Sequence, residues 1–376
     1  MFDRRKEQIR DEAHALGFVA CGFASADRLP DEPLLREWLD RGRHGDMSYL
    51  ARDLDRRVSP QSYLDDACSI VVVAWPYDAP ARRRDVAWRE RLTGRIAAYA
   101  RGVDYHDALA SKLDRLAVLV SRVCEGATRV HVDSGPLVEK SLARRAGLGW
   151  FGRNTNILLP DRGSYVLLAC LLTTASIEPD EEYTSDHCGA CTSCIPACPT
   201  AAIGDDATID ARRCLSYLTI EHRGPIEYEF RAPLGNWIFG CDDCQTSCPW
   251  NDPDDGDDDG DDWLNPSLAD VLAMGAEEFR DVYRHTAVSR TKRRGLARNA
   301  AVALGNSGNG AAVEPLSQAL EAHDEPLVRA HAAWALGALG GSAGERALAA
   351  GLRAESVPPV RREIERALAE FHHGHD

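Results

Sequence analysis

Apolar positions in the first 175 residues change period several times, and each change predicts an element. Helical spacing predicts helices over 4–16, 105–123 and 137–146. Short apolar or β-branched runs predict strands at 17–23, 69–74, 130–133 and 165–172, with another strand around Ile157. Alternating strands and helices are typical of an α/β domain in which helices pack on a sheet.

The last third of the chain is rich in alanine and leucine, and its apolar pattern repeats. The segment that begins at Arg298 recurs from Arg329 and, more faintly, from Arg361. Offsets of 31 and 32 residues suit two short antiparallel helices per unit. The pattern therefore predicts an α-helical HEAT-like repeat domain, an architecture that usually offers an extended binding face.

Eight of the twelve cysteines lie in one stretch with ferredoxin-like spacing. The first four form C-x2-C-x2-C-x3-C-P, in which three thiolates hold one [4Fe–4S] cluster and the fourth binds another. Crossed ligation of this kind predicts one cluster on Cys188, Cys191, Cys194 and Cys248, and a second on Cys198, Cys214, Cys241 and Cys244. Structural zinc prefers separated C-x2-C pairs, so two [4Fe–4S] clusters are the favoured interpretation.

These patterns divide the chain into three predicted domains. They are an α/β domain over 1–175, a ferredoxin-like two-cluster domain over 176–262 and a HEAT-like domain over 263–376. No apolar run approaches the ~20 residues that cross a bilayer, and the start does not resemble a signal peptide. We therefore expect a cytoplasmic protein that does not enter a membrane.

Charge is distributed unevenly along the chain. The formal net charge of −15 argues against a surface generally suited to nucleic acid. Part of it comes from the acidic stretch Asp252–Asp262, which is predicted to be a solvated linker rather than a calcium loop because no glutamate stands at the twelfth position. A basic segment nevertheless predicts an anionic partner such as an RNA backbone, with a solvated helix end as the alternative; its residues are Arg290, Lys292, Arg293, Arg294 and Arg298.

One carboxylate is a candidate for acid chemistry. Asp133 lies in Val-Asp-Ser-Gly-Pro, just before a predicted helix. An acid beside an apolar site can keep its proton and donate it to a leaving oxygen. Asp and Ser before a helix are also common N-caps. The residues alone leave both interpretations open.

Several segments together resemble one known family along essentially the whole chain. They are 132–140 around Asp133, 146–155, the two cysteine groups with their trailing Cys-Pro, 214–219 and 290–306. In this order they resemble epoxyqueuosine reductases, the cobalamin- and iron–sulfur-dependent enzymes that complete queuosine in tRNA.

The resemblance implies a division of labour among the domains. The N-terminal domain would bind cobalamin in a fold akin to reductive dehalogenases, and the ferredoxin-like domain would deliver single electrons. The HEAT-like domain would help hold the anticodon stem-loop. The reaction would reduce the epoxide of epoxyqueuosine to the alkene of queuosine, with the oxygen lost as water. Asp133 would occupy the position of the family's proposed proton donor.

The same resemblance places cobalamin contacts in the matching segments, at Arg57, Tyr99, Arg101, Asp133, Asn154 and Ser216. His106 is expected to be structural, because the family supplies no axial imidazole. We also expect a monomer that takes electrons from a donor such as ferredoxin or flavodoxin. The alternatives are a cobalamin-dependent reductase or dehalogenase of a small molecule, and a simple electron carrier.

Overall fold

A computed structural model describes residues 4–79, 87–251 and 263–373. The acidic stretch Asp252–Asp262 lies outside the described residues. The strands are β1 Ala20–Ser25, β2 Ser69–Pro76, β3 Arg95–Ile96, β4 Thr128–His131, β5 Trp150–Phe151, β6 Ile157–Leu158, β7 Val166–Thr173 and β8 Trp237–Phe239.

The helices follow the sequence periodicity most closely where they are long. They are α1 Arg4–Ala15, α2 Glu32–Asp40, α3 Ser48–Ala51, α4 Leu54–Val58, α5 Trp88–Arg91, α6 Tyr105–Cys124, α7 Glu139–Arg145, α8 Cys194–Ala197, α9 Leu215–Ile220, α10 Tyr228–Arg231, α11 Asp243–Thr246, α12 Leu268–Ala273, α13 Ala276–Tyr283, α14 Lys292–Asn306, α15 Val313–Ala322, α16 Pro326–Leu339, α17 Gly341–Ala354 and α18 Pro358–His373. Within the described ranges, none is long and apolar enough to span a membrane.

The chain forms two compact units, and each draws on separate parts of the sequence. The first takes its described residues from Met1–Pro80, Val103–Arg212 and Asp243–Asp254. The second takes its own from Ala81–Gly102, Arg213–Asp242 and Asp255–Asp376. The three consecutive domains inferred from the sequence remain a prediction.

The first unit is built on a four-stranded sheet in the order β1-β2-β7-β4. All three strand pairings are antiparallel, so the unit is helices on an antiparallel sheet rather than a parallel α/β fold. Alternate residues of β2 enter two cores. Val71 and Val73 meet α1 and α6 on one face, whereas Ile70 and Val72 meet α7 on the other. Covering both faces explains the continuous apolar run of β2.

Two helix starts in this unit bear on the site. The carboxylate of Asp104 caps α6 by accepting the His106 N–H at 3.0 Å, so Tyr105 and His106 lie in the first turn. The other helix, α7, begins at Glu139 after an N-cap at Val138, which makes no side-chain cap. It starts two residues later than the pattern predicts. The interpretation of Asp133 as its N-cap is therefore wrong.

The second unit contains the predicted repeats. A Cβ at Gly305 of α14 would lie 2.8 Å from the Cα of Ala335 in α16. One repeat later, a Cβ at Gly337 of α16 would lie 2.9 Å from the Cβ of Ala367 in α18. Glycine against alanine lets these helices cross closely, as the period in the sequence predicts. The unit also holds α9, α10 and the short parallel pair β3–β8.

Candidate functional site

Four of the ferredoxin-type cysteines border one cavity in the first unit. Cys188, Cys191, Cys194 and Cys248 line it together, although the last is far from the others in sequence. A tight turn presents the first two, since the Cys191 N–H donates to the Cys188 carbonyl at 2.8 Å. The structure thus brings together the set that crossed ligation predicts for the first cluster.

The thiols of this cavity have unequal electrostatic surroundings. Hydrogen bonding from Ser193 lowers the pKa of Cys191, and the charge of Arg153 acts in the same direction. Burial raises the pKa of both Cys194 and Cys248. Across the described residues, no three His, Cys, Asp or Glu side chains are placed to hold a single metal ion. Four thiols spread around a cavity fit a [4Fe–4S] cluster better than a mononuclear site.

The first unit also holds Cys198 and Cys244, from the second predicted set. The Ala202 N–H points at the Cys198 sulfur, 3.2 Å away. Asn154 is 3 % exposed, and its amide donates to the Cys244 carbonyl at 3.1 Å. Its oxygen accepts the Asn156 N–H at 3.2 Å. The Asn154 side chain is therefore buried and holds the cysteine backbone, and its contact with cobalamin stays a prediction.

An aromatic group lies beside the first cavity, and the sequence interpretation missed it. The rings of Trp150 and Trp250 are 4.9 Å apart. His187 joins them, since its carbonyl accepts the Trp250 indole N–H at 3.3 Å and its ring is 2.9 Å from the Tyr183 hydroxyl. Trp250 is 38 % exposed and borders the cysteine cavity. Its position directly after Cys248-Pro249 was the available signal.

A second cavity of about 170 Å³ opens beside Asp133 in the same unit. Its apolar wall comes from the start of β7, where Val166, Leu167 and Leu168 are only half-buried. Its polar wall includes Asp133 and Glu139. A largely apolar wall with a few polar groups is typical of a cofactor or substrate site.

The carboxylate of Asp133 is held by the first turn of α6. The Tyr105 hydroxyl donates to Asp133 Oδ2 at 2.6 Å, and His106 Nε2 lies 3.3 Å from the same oxygen. The other ring nitrogen of His106 is 2.7 Å from Asp104 Oδ1. The hydrogen bond to Asp133 raises the pKa of His106 most, burial opposes it, and Asp104 adds to it.

His106 therefore contacts the candidate acid directly, and its expected structural role stays a prediction. Its imidazole connects two carboxylates, one of them the candidate acid. The signal in the sequence was Asp104-Tyr105-His106 at the start of an amphipathic helix, where an N-cap directs the following side chains. Only the sheet and helix packing shows that Asp133 lies against that helix start.

The loop that carries Asp133 has an unusual backbone. Asp133 has φ +47°, a left-handed conformation that non-glycine residues adopt at a cost. Gly135 follows, and a Cβ there would lie 2.4 Å from the His131 ring. His131 is itself fixed by a 2.5 Å contact with Glu139. The side chain of Asp133 is 58 % exposed rather than enclosed in an apolar pocket.

The remaining predicted cofactor contacts are placed as follows. Arg57 lies near Glu139, which lines the Asp133 cavity, and donates to the Tyr49 carbonyl at 2.7 Å. Its buried Nε has no hydrogen-bond partner within the described ranges, and burial lowers the pKa of Arg57. The second unit contains the other three, Tyr99, Arg101 and Ser216.

Arg57 Nε offers a buried donor for an amide oxygen, and the half-buried wall offers an apolar contact, so these residues suit part of a ligand that is larger than the cavity itself. Of the three residues in the second unit, Tyr99 is half-buried against Phe239, with ring centroids 6.1 Å apart. Arg101 is exposed, and Ser216 is half-buried in α9.

The predicted RNA-binding residues separate into two groups. Arg290, Lys292 and Arg294 are exposed, and Arg293 is partly exposed. Arg290 pairs with Glu221 and Arg293 with Asp324, so both are tethered at the surface. We call these four residues the basic strip. The fifth, Arg298, is 0 % exposed, and the prediction that it contacts RNA is wrong because its guanidinium is enclosed by protein.

Three family models match separate segments of the chain. Residues 187–251 match the 4Fe-4S double cluster binding domain, which confirms the two predicted clusters. Residues 280–369 match HEAT repeats, which confirms the repeat prediction. Residues 57–134, which end just after Asp133, match the family described as epoxyqueuosine reductase QueG.

Individual relatives match over most of their length. The chain is 36 % identical to the epoxyqueuosine reductase of Escherichia coli over 87 % of both chains. It is 36 % identical to that of Cellulophaga algicola over 79 % of this chain and 97 % of the relative. A solved epoxyqueuosine reductase with an epoxyqueuosine-modified tRNA-Tyr stem loop is similar at TM-score 0.89 and 33 % identity, covering 98 % of each chain.

The cysteine cavity, the double-cluster match and the helical repeats define an iron–sulfur oxidoreductase with a repeat domain. Within that class, the three relatives named above match this chain over most of its length at 33–36 % sequence identity, and all three are epoxyqueuosine reductases. The chain belongs to the epoxyqueuosine reductase family.

Proposed function

We propose that the chain reduces epoxyqueuosine to queuosine at the wobble position of tRNA. The observation that carries this proposal is the similarity, over 98 % of both chains, to an epoxyqueuosine reductase solved with an epoxyqueuosine-modified stem loop. The overall change consumes two electrons and two protons, removes the epoxide oxygen as water and leaves an alkene. Any mechanism therefore needs an electron path, a proton donor and a surface for RNA.

Electrons would reach the site through two [4Fe–4S] clusters. The first would be held by Cys188, Cys191, Cys194 and Cys248, the four thiols around one cavity. The second would use Cys198, Cys214, Cys241 and Cys244, the remaining members of the ferredoxin pattern. A single-electron carrier such as ferredoxin or flavodoxin would be the donor. The partly exposed Trp250 beside the first cavity supports entry at that cluster.

Cobalamin would be the cofactor, and when bound it would supply low-valent cobalt for the reduction of the epoxide. This part rests on the resemblance in the sequence and on the apolar wall and polar groups that line the Asp133 cavity. Arg57 would donate to an amide oxygen of the cofactor, since its buried Nε is unpaired within the described ranges. The half-buried wall from Val166 to Leu168 would cover an apolar face. Tyr99, Arg101 and Ser216 stay as proposed contacts.

Asp133 would deliver the proton that the departing epoxide oxygen needs. Tyr105 and His106 both contact its Oδ2. These contacts orient the carboxyl group and place a second proton-carrying group, the imidazole, beside it. Because the pKa of His106 is raised, more of its imidazole is protonated near neutral pH than in a free histidine. His106 would pass its proton to the Asp133 carboxylate as that group protonates the epoxide oxygen, and solvent would then reprotonate the imidazole, whose side chain is 30 % exposed.

The basic strip would bind phosphates of the anticodon stem-loop. Lys292 and Arg294 are exposed at the start of α14, Arg293 lies between them, and Arg290 precedes them. Ion pairs with Glu221 and Asp324 would be exchanged for phosphate contacts on binding. A local cluster of this kind suits RNA better than a small uncharged substrate.

The test is conversion of epoxyqueuosine-containing tRNA by the anaerobically reconstituted chain with cobalamin and a reductant. Nucleoside mass spectrometry should show loss of one oxygen. Asp133→Asn should abolish conversion, whereas Asp107→Asn, an exposed aspartate on the same stretch of α6, should not. A fully loaded chain that leaves the tRNA unchanged would favour a cobalamin-dependent reductase or dehalogenase of a small molecule.

A further inference from the structure

Arg298, on the first long repeat helix, is satisfied entirely by oxygen atoms of the second unit. Its Nη1 donates to the carbonyls of His222 and Gly224 at 2.9 and 2.7 Å. Its Nη2 donates to the Leu218 carbonyl at 2.6 Å, and both Nη2 and Nε donate to Asn299 Oδ1. The charge therefore lies at the carboxyl end of α9, where free carbonyls and the helix dipole favour a cation.

The same contact, an arginine that donates to a carbonyl at the end of the preceding helix, recurs along the repeats. Arg329, one period later, donates to the carbonyl of His323 at 2.8 Å, and His323 is the C-cap of α15. Arg361 donates to the carbonyl of Glu355 at 2.7 Å, and Glu355 is the C-cap of α17. Each repeat arginine thus caps the helix packed before it. At the first repeat that helix is α9, which begins directly after Cys214.

Asn299 and Thr219 extend this contact to a second cysteine. The Asn299 amide donates to the carbonyls of Thr219 and Ile238 at 2.9 and 2.8 Å. The Thr219 hydroxyl donates to the Leu215 carbonyl at 2.7 Å and accepts the Gly240 N–H at 2.9 Å. Leu215 follows Cys214 and Gly240 precedes Cys241. One buried hydroxyl therefore links the backbone beside both thiols.

We propose that Arg298, Asn299 and Thr219 are positioning residues for Cys214 and Cys241, so that the first repeat helix fixes two thiolates of the second cluster. The inference rests on the proposed assignment of these two cysteines as ligands. Arg298 differs from the other two repeat arginines in being fully buried, at 0 % exposure against 14 % and 39 % for the side chains of Arg329 and Arg361. Arg298 holds the carboxyl end of the helix that Cys214 begins, and Asn299 joins that helix to β8, three residues before Cys241.

The test compares cluster properties of the anaerobically reconstituted full chain in matched variants. Thr219→Val removes the bridging hydroxyl at similar volume, and Thr219→Ser keeps it. Arg298→Gln removes the cap on α9, and Arg329→Gln removes the equivalent cap on α15. Iron per chain, the midpoint potential of each cluster by electron paramagnetic resonance, and the rate of iron loss to a chelator are measured. Cys214→Ser identifies the signal of the second cluster.

We expect Thr219→Val and Arg298→Gln to shift the midpoint potential of the second cluster. Its rate of iron loss to the chelator should rise roughly tenfold, the order expected when a buried hydrogen-bonding group is left unsatisfied. The first cluster should be unchanged, and Thr219→Ser should restore the second. Arg329→Gln should lower thermal stability with both clusters intact. Unchanged potentials and loss rates in Thr219→Val would overturn the proposal, as would equal effects on both clusters. None of these measurements depends on tRNA turnover. A failure of this proposal can therefore be told apart from a failure of the proposed function.

Discussion

The Tyr105 hydroxyl donates a 2.6 Å hydrogen bond to Asp133 Oδ2. Tyr105 is the first residue of α6, whereas Asp133 lies in the loop after β4. Apolar side chains of α6, among them Leu109 and Leu113, are buried against the sheet, and this packing places the hydroxyl. The candidate acid is therefore oriented by a helix distant in sequence rather than by its own strained loop.

Removing that hydroxyl should slow turnover without weakening tRNA binding. We expect Tyr105→Phe to lower the single-turnover rate by roughly 10- to 100-fold, the effect of removing a hydrogen bond to a charged group. Tyr63→Phe is the matched control, because its hydroxyl donates to the Val130 carbonyl at 3.3 Å instead. An unchanged rate in Tyr105→Phe would remove the hydroxyl from the mechanism.

His106 should make stability depend on pH with a definite sign. Its folded pKa is raised, chiefly by Asp133, so protonated His106 stabilises the fold fully below its ordinary value of 6.5. That contribution is lost as pH rises through the raised folded pKa. The melting temperature of His106→Gln should therefore fall below wild type most in acid, and the difference should vanish in alkali. His285→Gln, at an exposed position, should show no such trend.

Gly135 should be required for the position of the Asp133 loop. A methyl group there would approach the buried His131 ring to 2.4 Å, and Glu139 holds that ring in place. We expect Gly135→Ala to displace the loop, with a destabilisation of about 1–3 kcal/mol from overpacking and a larger loss of activity. Gly310→Ala has open space around it and serves as the control. Wild-type activity in Gly135→Ala would show that the loop tolerates displacement.

Crossed ligation should be visible in paired cysteine variants. Cys188→Ser and Cys248→Ser remove thiols of the same cavity, so each should abolish the same cluster signal and leave about four of eight irons. Cys170→Ser alters a buried thiol of the sheet core and should keep both clusters. Different signals abolished in Cys188→Ser and Cys248→Ser would contradict the assignment.

The exposed part of the basic strip should contribute to RNA affinity by neutralising phosphates. Lys292→Ala and Arg294→Ala should each weaken stem-loop binding and lower the salt dependence of log K by about one unit for each phosphate that is no longer neutralised. Arg346→Ala changes an exposed arginine of α17 and should leave both unchanged. Salt slopes equal to wild type in both strip variants would place the RNA elsewhere.

The sequence predicts two kinds of feature well: long helices with a regular apolar period, and cysteines recognised by their spacing. The α6 helix was predicted at 105–123 and spans Tyr105–Cys124, because an amphipathic stripe is a local property. The start of α7 was misplaced by two residues, since no capping side chain marks it. Asn154 and Arg298 were assigned from segment and charge, yet both side chains are buried on backbone carbonyls.

The sequence by itself determined the cysteine pattern, the repeat period and the family, because each is written in fixed spacings along one chain. Only the tertiary structure decided that β2 and β7 pair antiparallel, that Cys248 meets Cys188, and that Tyr105 and His106 face Asp133. It also decided that Arg298 caps α9. Those relationships join residues far apart in sequence, and they depend on strand register and helix packing, which local patterns do not specify.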